Sequence, residues 1–227
     1  MRNKKIKYDN MLFDSKIEAS WYDFMQHSLL WDVLPQPKYL EDIKRWVPDF
    51  LMLAPSGNNI LIDVKGVRTS EIWHNPIQHK HDVYREFLIN SKERILNKSE
   101  WNKHDYKILI VGFKLRFDRD SLMLSEKKSI LPFGLLYEPA DNDLGYTSHP
   151  VYFIKHIEPM NNISFGFAEL GCDQHNECVI CGKEVSEENF ITLREEKIIS
   201  SIFNQTHRFF ESNEYLDNDD FWSAIKK

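Results

Sequence analysis

Three acidic residues and one lysine in the first third of the chain have types and spacing suited to metal-assisted chemistry. They are Glu18, Asp49, Asp63 and Lys65. Carboxylate oxygens are the ligands that Mg²⁺ prefers, and a lysine beside them can orient an attacking water or stabilise charge that develops on a phosphate. We therefore expect a site that cleaves phosphodiester bonds, with the three carboxylates as metal ligands and Lys65 positioning or activating the nucleophile.

The spacing of Asp49 and Asp63 makes a specific prediction about strand register. The segment 55–59 has the composition of a turn, and the two aspartates each lie seven residues from Ser56. A hairpin centred on Ser56 places them directly opposite each other, on one face and about 5 Å apart at Cβ. Lys65 shares the face of Asp63, whereas Val64 points into the core. A one-residue slip would turn Asp49 to the wrong face.

Each of these residues also has an ordinary interpretation. Ser15-x-x-Glu18 is a capping-box pattern, in which Glu18 satisfies a backbone donor at a helix start. An Asp-x-Lys on a strand is commonly a solvated face, and Asp49 between Pro48 and Phe50 is compatible with a turn. The prediction depends on the combination, because a helix Glu, a hairpin Asp and a strand Asp-x-Lys occur in the required order.

The elements that must position these residues follow from periodicity. Apolar residues at spacings of three and four predict a helix over 14–30, and a second helix begins at Asn75-Pro76 and runs to Leu96. A break at 34–37 follows the first helix. Strands are predicted over 38–43, 46–54, 60–65 and 106–113, with two or three more within 114–160 and a helix over 193–212. The order helix, three-strand antiparallel meander, helix, strand indicates an α/β core.

With these motifs the sequence resembles the PD-(D/E)XK nuclease superfamily. The resemblance covers about residues 8–112 and is carried by FDSKIEASWY, LPQPKYL, RWVPDFL and LIDVKG. It is greatest toward small phage endonucleases, junction-resolvase-like enzymes and the endonuclease subunit of certain transposons. The family's PD corresponds to Pro48-Asp49, its (D/E)XK to Asp63-Val64-Lys65, and its helix glutamate to Glu18. The resemblance implies a restriction-endonuclease-like core that hydrolyses DNA with Mg²⁺ or Mn²⁺.

The resemblance also implies substrate contacts. The family's Q-P corresponds to Gln36-Pro37, and relatives carry a basic or polar residue on the helix after the third strand. We take Gln36 and Lys80 as the substrate-binding residues, with Gln78 and His79 as alternatives to Lys80. One departure from the usual pattern is Asp63, because the family more often has Glu there, and the shorter side chain reduces the reach to the metal.

A cysteine and histidine cluster indicates a second metal site. Cys172, His175, Cys178 and Cys181 follow one another at intervals of three, and Gly182 completes a tight C-x₂-C-G turn. Four N/S ligands suit a structural Zn²⁺ ion. His207, on the later helix, is the alternative fourth ligand, and ordinary reduced cysteines are the alternative to a metal site. The other histidines, His156 among them, are expected in surface or core roles.

Composition leaves the partner open. The net charge is −6, but residues 184–220 hold ten Asp/Glu against three Lys/Arg, so the remainder is close to neutral and DNA binding is neither supported nor excluded. The sequence has neither a long apolar run nor a hydrophobic signal core, so we expect a cytoplasmic protein with no membrane partner. The Asn, Lys and Ile usage hints at an AT-rich genome, such as that of a phage or a low-GC bacterium.

The sequence thus predicts a metal-dependent DNA endonuclease in a bacterial or phage-infected cell. Residues 1–115 form the nuclease core, 116–165 add strands and loops, and 166–227 form a Cys/His extension with a helix and an acidic tail. The alternatives are a non-catalytic DNA- or protein-binding module on the same fold, and a structure-specific or RNA-directed nuclease. Candidate partners besides DNA are a second copy of the chain and a replication, recombination or transposition protein.

Overall fold

The computed structural model describes residues 5–37, 47–69, 72, 106–113, 130–139, 146–159, 162–169 and 177–212. The elements bounded within these ranges are β1 (Ile6–Tyr8), β2 (Met11–Phe13), α1 (Lys16–Asp23), a π-helical turn (Phe24–Ser28), β3 (Val33–Pro35), β4 (Phe50–Leu53), β5 (Asn59–Val64), β6 (Tyr106–Val111), β7 (Pro132–Pro139), β8 (Tyr146–Ile157), β9 (Ile163–Glu169), a 3₁₀ turn (Glu187–Asn189) and α2 (Leu193–Ser212). The chain is a mixed α/β structure, as expected. The strand predicted over 38–43, the second predicted helix and Lys80 lie outside the described residues.

Strands β3 to β9 form one sheet in chain order, and β1 pairs with β2 in a separate hairpin. All neighbours in the large sheet are antiparallel except β5 and β6, which are parallel. Strands β3, β4 and β5 form an antiparallel three-strand meander. Its first strand, β3, was not predicted and overlaps the break predicted at 34–37. A proline is tolerated there since β3 ends at Pro35 and stands first in the strand order.

Most other predicted elements of the described chain are confirmed. The strands at 106–113 and within 114–160 and the helix over 193–212 are present as β6, β7, β8 and α2. The helix predicted over 14–30 is α-helical only to Asp23, after which the π-helical turn continues it. Leu30 has φ +57°, a left-handed conformation that ends the helix. The predicted boundary between residues 165 and 166 falls inside β9, so it does not separate two structural units.

The two helices pack together against one face of the sheet through aromatic side chains. The ring of Trp21 on α1 lies 4.7 Å from that of Phe203 on α2, and both are fully buried. The indole N–H of Trp21 donates to the carbonyl of Gly112, at the end of β6, over 2.8 Å. Buried aromatic pairs of this kind stabilise beyond their area alone. Trp21 thereby fixes α1 against the sheet one turn beyond Glu18.

Candidate active site

The register of the β4–β5 hairpin is the one predicted from the sequence. Phe50 pairs with Ile62 and Leu53 with Asn59, so the hairpin is centred on Ser56. Gly57 closes the turn with φ +87°, and its N–H donates to Ala54 O over 2.9 Å. Continuing the pairing by one residue beyond β4 places Asp49 opposite Asp63, on the face away from the aromatic core.

Just beyond the paired residues of β4 and β5, the side chain of Asp49 makes a hydrogen bond to the backbone of β5. Its backbone N–H donates to Ile62 O over 2.9 Å, while the N–H of Val64 donates to Asp49 Oδ2 over 2.6 Å. The carboxylate thus takes the place of a backbone carbonyl as the partner of Val64. On the other side, Gln36 N donates to Asp49 O over 2.8 Å, with Gln36 at φ +43°. The backbone of the predicted substrate contact Gln36 therefore adjoins Asp49.

Asp63 and Lys65 lie together on the same side of the chain, as expected. Asp63 is only 5% exposed, so the solvated-face interpretation is wrong for this residue. Lys65 Nζ forms an ion pair with Asp63 Oδ2, and its backbone N–H donates to Val111 O over 2.8 Å, which extends the pairing with β6. Val64, between them, packs against the core. A buried carboxylate and its lysine are thus held at the end of β5.

Glu18 combines the capping role with a place beside the two aspartates. Ser15 is the N-cap of α1, and its Oγ accepts from the N–H of Glu18 over 3.2 Å. The Glu18 carboxylate accepts from Asp14 N over 3.0 Å and from Ser15 Oγ over 2.8 Å. It is nonetheless close enough to Asp63 and Asp49 to act on both electrostatically. The N-cap bond is therefore formed without the reciprocal half of a capping box, because Glu18 bonds Asp14 N instead of Ser15 N, and these contacts hold Glu18 in place.

The electrostatics of this cluster indicate a deficit of positive charge. Burial, followed by the charges of Asp63 and Glu18, raises the pKa of Asp49 to about 8. Burial likewise raises the pKa of Glu18, against the lowering effect of its bonds from Ser15 and Asp14. A side-chain hydrogen bond also links Asp49 to Asp63. Three carboxylates beside one lysine form a donor set that a divalent cation would satisfy, because opposite charge favours the ionised form of each.

A cavity of about 620 Å³ adjoins the cluster. Its walls come from the start of α1, the ends of β5 and β6, and α2, and its lining residues are Ser15, Lys16, Ile17, Gly66, Phe113, Asn204, His207, Arg208 and Glu211. Ser15 is hydrogen-bonded to Glu18, and Gly66 directly follows Lys65. The volume is in the range of ligand-binding clefts. The open space is therefore lined by Lys16, Arg208 and Glu211 and by residues that adjoin Glu18 and Lys65, while the four residues of the cluster are not in its lining.

The predicted zinc ligands are placed differently from one another. Cys178 and Cys181 lie together with His156 of β8, and the ligand atoms of the three are all within 4.8 Å of one another. His207 instead lies on α2, where it contacts Ser20 Oγ at 3.2 Å and Glu211 Oε1 at 3.3 Å. Cys172 and His175 lie outside the described residues. No spacing in the sequence points to His156, which precedes Cys178 by 22 residues and lies near it only in the folded chain.

A second compact group was also missed by sequence reasoning. Glu138, His149 and Glu169, from β7, β8 and β9, have ligand atoms within 4.8 Å of one another. Lys107 of β6 pairs with Glu138 Oε2 at 2.5 Å. Together with Lys107, these three residues form an ion-pair network across four adjacent strands, and the lysine supplies its positive charge. Within the described chain, the carboxylates of Glu18, Asp49 and Asp63 are less closely gathered than either of these two groups.

No protein-family model, curated protein or solved structure gives a significant match to this chain. None of the helices in the described part is long and apolar enough to cross a membrane.

Proposed function

We propose that the chain is a Mg²⁺-dependent DNA endonuclease with a restriction-endonuclease-like core. The observation that carries the proposal is the meeting of Asp49, Asp63 and Lys65 at one end of the β4–β5 hairpin, in the predicted register, with Glu18 beside them. Glu18 comes from α1 and Asp63 from β5, while Asp49 precedes β4 and Lys65 follows β5. Their order along the chain is that of the motifs in the superfamily that the sequence resembles.

The four residues of the cluster would have different roles in the reaction. Glu18, Asp49 and Asp63 would hold Mg²⁺ or Mn²⁺, and the raised pKa values of Asp49 and Glu18 support this, since a cation would stabilise both carboxylates in their charged form. When bound, the ion would lower the pKa of a water and neutralise charge on the phosphate. Lys65, held at Asp63, would orient the attacking water or stabilise the developing negative charge.

The substrate would approach through the cavity beside the cluster. Lys16 and Arg208 line it together with one acidic residue, Glu211, and would supply the positive charge for a phosphate backbone. We propose Gln36, next to Asp49, as a further contact, together with Lys80. A second copy of the chain or a replication, recombination or transposition protein would complete a double-strand cut.

Cleavage assays test this function directly. The purified chain is incubated with supercoiled, branched, linear and single-stranded DNA and with RNA, in Mg²⁺, in Mn²⁺ and in EDTA. We expect metal-dependent cleavage of at least one DNA form, and loss of cleavage by about 10²-fold or more in Asp63→Asn and Lys65→Ala. Asp23→Asn is the matched control, because Asp23 is also a buried aspartate of the site-bearing region but is bonded to Tyr8 and Thr206.

Two outcomes would contradict the proposal. One is a wild-type chain that cleaves no DNA with either metal, and the other is normal cleavage by the Asp63 and Lys65 variants. Calorimetric titration with Mg²⁺ distinguishes the nuclease from a non-catalytic binding module. The nuclease should bind Mg²⁺ at a site that Asp63→Asn removes, whereas a non-catalytic module need not have such a site. Cleavage of RNA alone would assign the chemistry to a different substrate.

A further inference from the structure

The cysteines of the C-x₂-C-G turn and a histidine of the sheet converge from distant parts of the chain. Cys181 Sγ lies 3.4 Å from His156 Nε2, and Cys178 Sγ completes a triangle with all three ligand atoms within 4.8 Å. With Zn–S near 2.3 Å and Zn–N near 2.0 Å, a tetrahedral ion separates its sulfur and nitrogen ligands by about 3.5 Å. The observed separation already has this value.

The turn has the backbone form that two thiolate ligands require. Gly182 has φ +69°, its N–H donates to Cys178 O over 2.8 Å, and Cys178 N donates to Lys183 O over 2.8 Å. These two backbone bonds close a tight turn that holds Cys178 and Cys181 near each other.

The neighbouring strand is shaped to admit this sulfur. A Cβ added to Gly166 of β9 would lie 2.5 Å from Cys178 Sγ, which is closer than such atoms approach, and 3.9 Å from His156 Nε2. Any side chain at residue 166 would displace Cys178 from the triangle. The absence of a side chain at Gly166 therefore lets the Cys178 sulfur pack against β9, on the side where His156 lies.

We propose that His156, Cys178 and Cys181 supply three of the four ligands of a structural Zn²⁺ ion, through Nε2 and the two sulfurs. Soft thiolates and an imidazole are a donor set that zinc prefers, and binding releases the two thiol protons. The ligand set differs from the one predicted from sequence, because it includes His156 and leaves out His207. The inference does not depend on the proposed nuclease function.

The histidine must adopt one tautomer to bind the ion. Asn189 Nδ2, which can only donate, lies 3.4 Å from His156 Nδ1, so in the metal-free arrangement the ring proton is on Nε2, facing Cys181. Coordination through Nε2 moves the proton to Nδ1 and loosens the Asn189 contact. The Asn189 amide remains tied elsewhere, since Nδ2 also donates to Lys155 O over 2.9 Å.

The ion would brace the hairpin that carries the aspartates. Ser56 N donates to Ile180 O over 2.9 Å, Ser56 Oγ donates to Val179 O over 3.0 Å, and Asn58 Nδ2 donates to Val179 O over 3.2 Å. Val179 N in turn donates to Phe167 O over 2.9 Å. The loop between the two cysteines therefore holds the tip of the β4–β5 hairpin, and its zinc would hold the loop to β8 and β9.

Metal content of matched variants tests the ligand set. The full chain is produced with Zn²⁺ in the medium, and zinc is measured by mass spectrometry together with intact mass. We expect about one zinc per chain in the wild type and in His207→Gln, and a loss of about tenfold or more in His156→Gln and Cys181→Ser. Zinc retained by His156→Gln, zinc lost from His207→Gln, or a Cys178–Cys181 disulfide in place of zinc would overturn the proposal.

A second experiment uses the wild-type chain, so it tests the proposal even if the variants fail to fold. Zinc is stripped from the intact chain with a chelator and Co²⁺ is added. We expect the absorption of a tetrahedral Co²⁺–thiolate site, a lower Tm in the stripped chain, and faster amide exchange in Leu51–Leu53 and Asn59–Ile62, all reversed by Zn²⁺ and not by Mg²⁺. A Co²⁺ spectrum without thiolate bands, or a Tm unchanged by stripping and adding back zinc, would contradict it.

Discussion

The N–H of Val64 donates to the Asp49 carboxylate over 2.6 Å, so a catalytic candidate also ends the β4 ladder. The bond joins the residue before β4 to the last residue of β5. It fixes Asp49 beside Asp63 and supplies a partner for a backbone donor that would otherwise be left without one. The carboxylate that makes this structural bond is also a proposed metal ligand, and substitutions at Asp49 can separate the two roles.

We expect Asp49→Asn and Asp49→Ala to differ in stability but not in activity. The asparagine keeps an oxygen that accepts from Val64, whereas alanine leaves that N–H without its partner, which costs about 1–3 kcal/mol. Both changes remove a proposed metal ligand, so both should abolish Mg²⁺-dependent cleavage. Urea unfolding and cleavage of the preferred DNA form give the two readouts. Equal stability of the two variants would mean that the bond contributes nothing.

The pKa of Asp49 predicts how the metal-free chain responds to pH. Folding raises this pKa from about 3.9 to about 8, so the folded state holds the proton more tightly than the unfolded state. The free energy of unfolding in EDTA should therefore decrease as pH rises from about 4 to about 8, and Asp49→Asn should reduce this slope. Mg²⁺ should stabilise the chain more at the upper end of this range.

Thermal unfolding across this pH range, with EDTA or with Mg²⁺, checks the prediction. Parallel pH profiles for the wild type and Asp49→Asn in EDTA would show that Asp49 does not carry the pH dependence. A stabilisation by Mg²⁺ that grew as the pH fell would contradict the assignment of Asp49 as a ligand.

Two matched variants can separate the proposed metal-binding role of Glu18 from the N-cap contacts that it makes with Ser15. Ser15→Ala removes the N-cap and should destabilise the chain by about 1 kcal/mol. Glu18→Gln keeps an oxygen for Asp14 N while removing the charge, so we expect a stability close to that of the wild type and a much larger loss of cleavage than in Ser15→Ala. If Glu18→Gln instead destabilised the chain and cleaved normally, Glu18 would be a cap alone.

The close approach at Gly112 should make that position intolerant of a side chain. A Cβ there would lie 2.5 Å from both Thr69 N and Val67 O, at the residue whose carbonyl receives the Trp21 indole N–H. We expect Gly112→Ala to destabilise the chain by about 1–3 kcal/mol. Gly66→Ala is the control, because nothing lies within 4 Å of its added Cβ. Similar denaturation midpoints for the two would contradict the prediction.

The sequence predicted those parts of the site that depend on local rules. Strand alternation and the symmetric placement of Asp49 and Asp63 about Ser56 determined the hairpin register, which the structure confirms. The helix of Glu18 and its cap likewise follow from short-range spacing. The strand Val33–Pro35 was missed because its proline signals a break, and only its pairing with β4 shows that it lies in the sheet.

The remaining features of the two candidate sites depend on contacts between residues that are far apart in the chain. The sequence by itself determined which residues have metal-binding chemistry and which face of β5 carries Asp63 and Lys65, because these follow from side-chain type and a period of two. Only the tertiary structure brought His156 of β8 to Cys178 and Cys181, and placed the cysteine turn against the tip of the β4–β5 hairpin. Such neighbours are set by strand order and packing between segments far apart in the chain, and these leave no local spacing to detect.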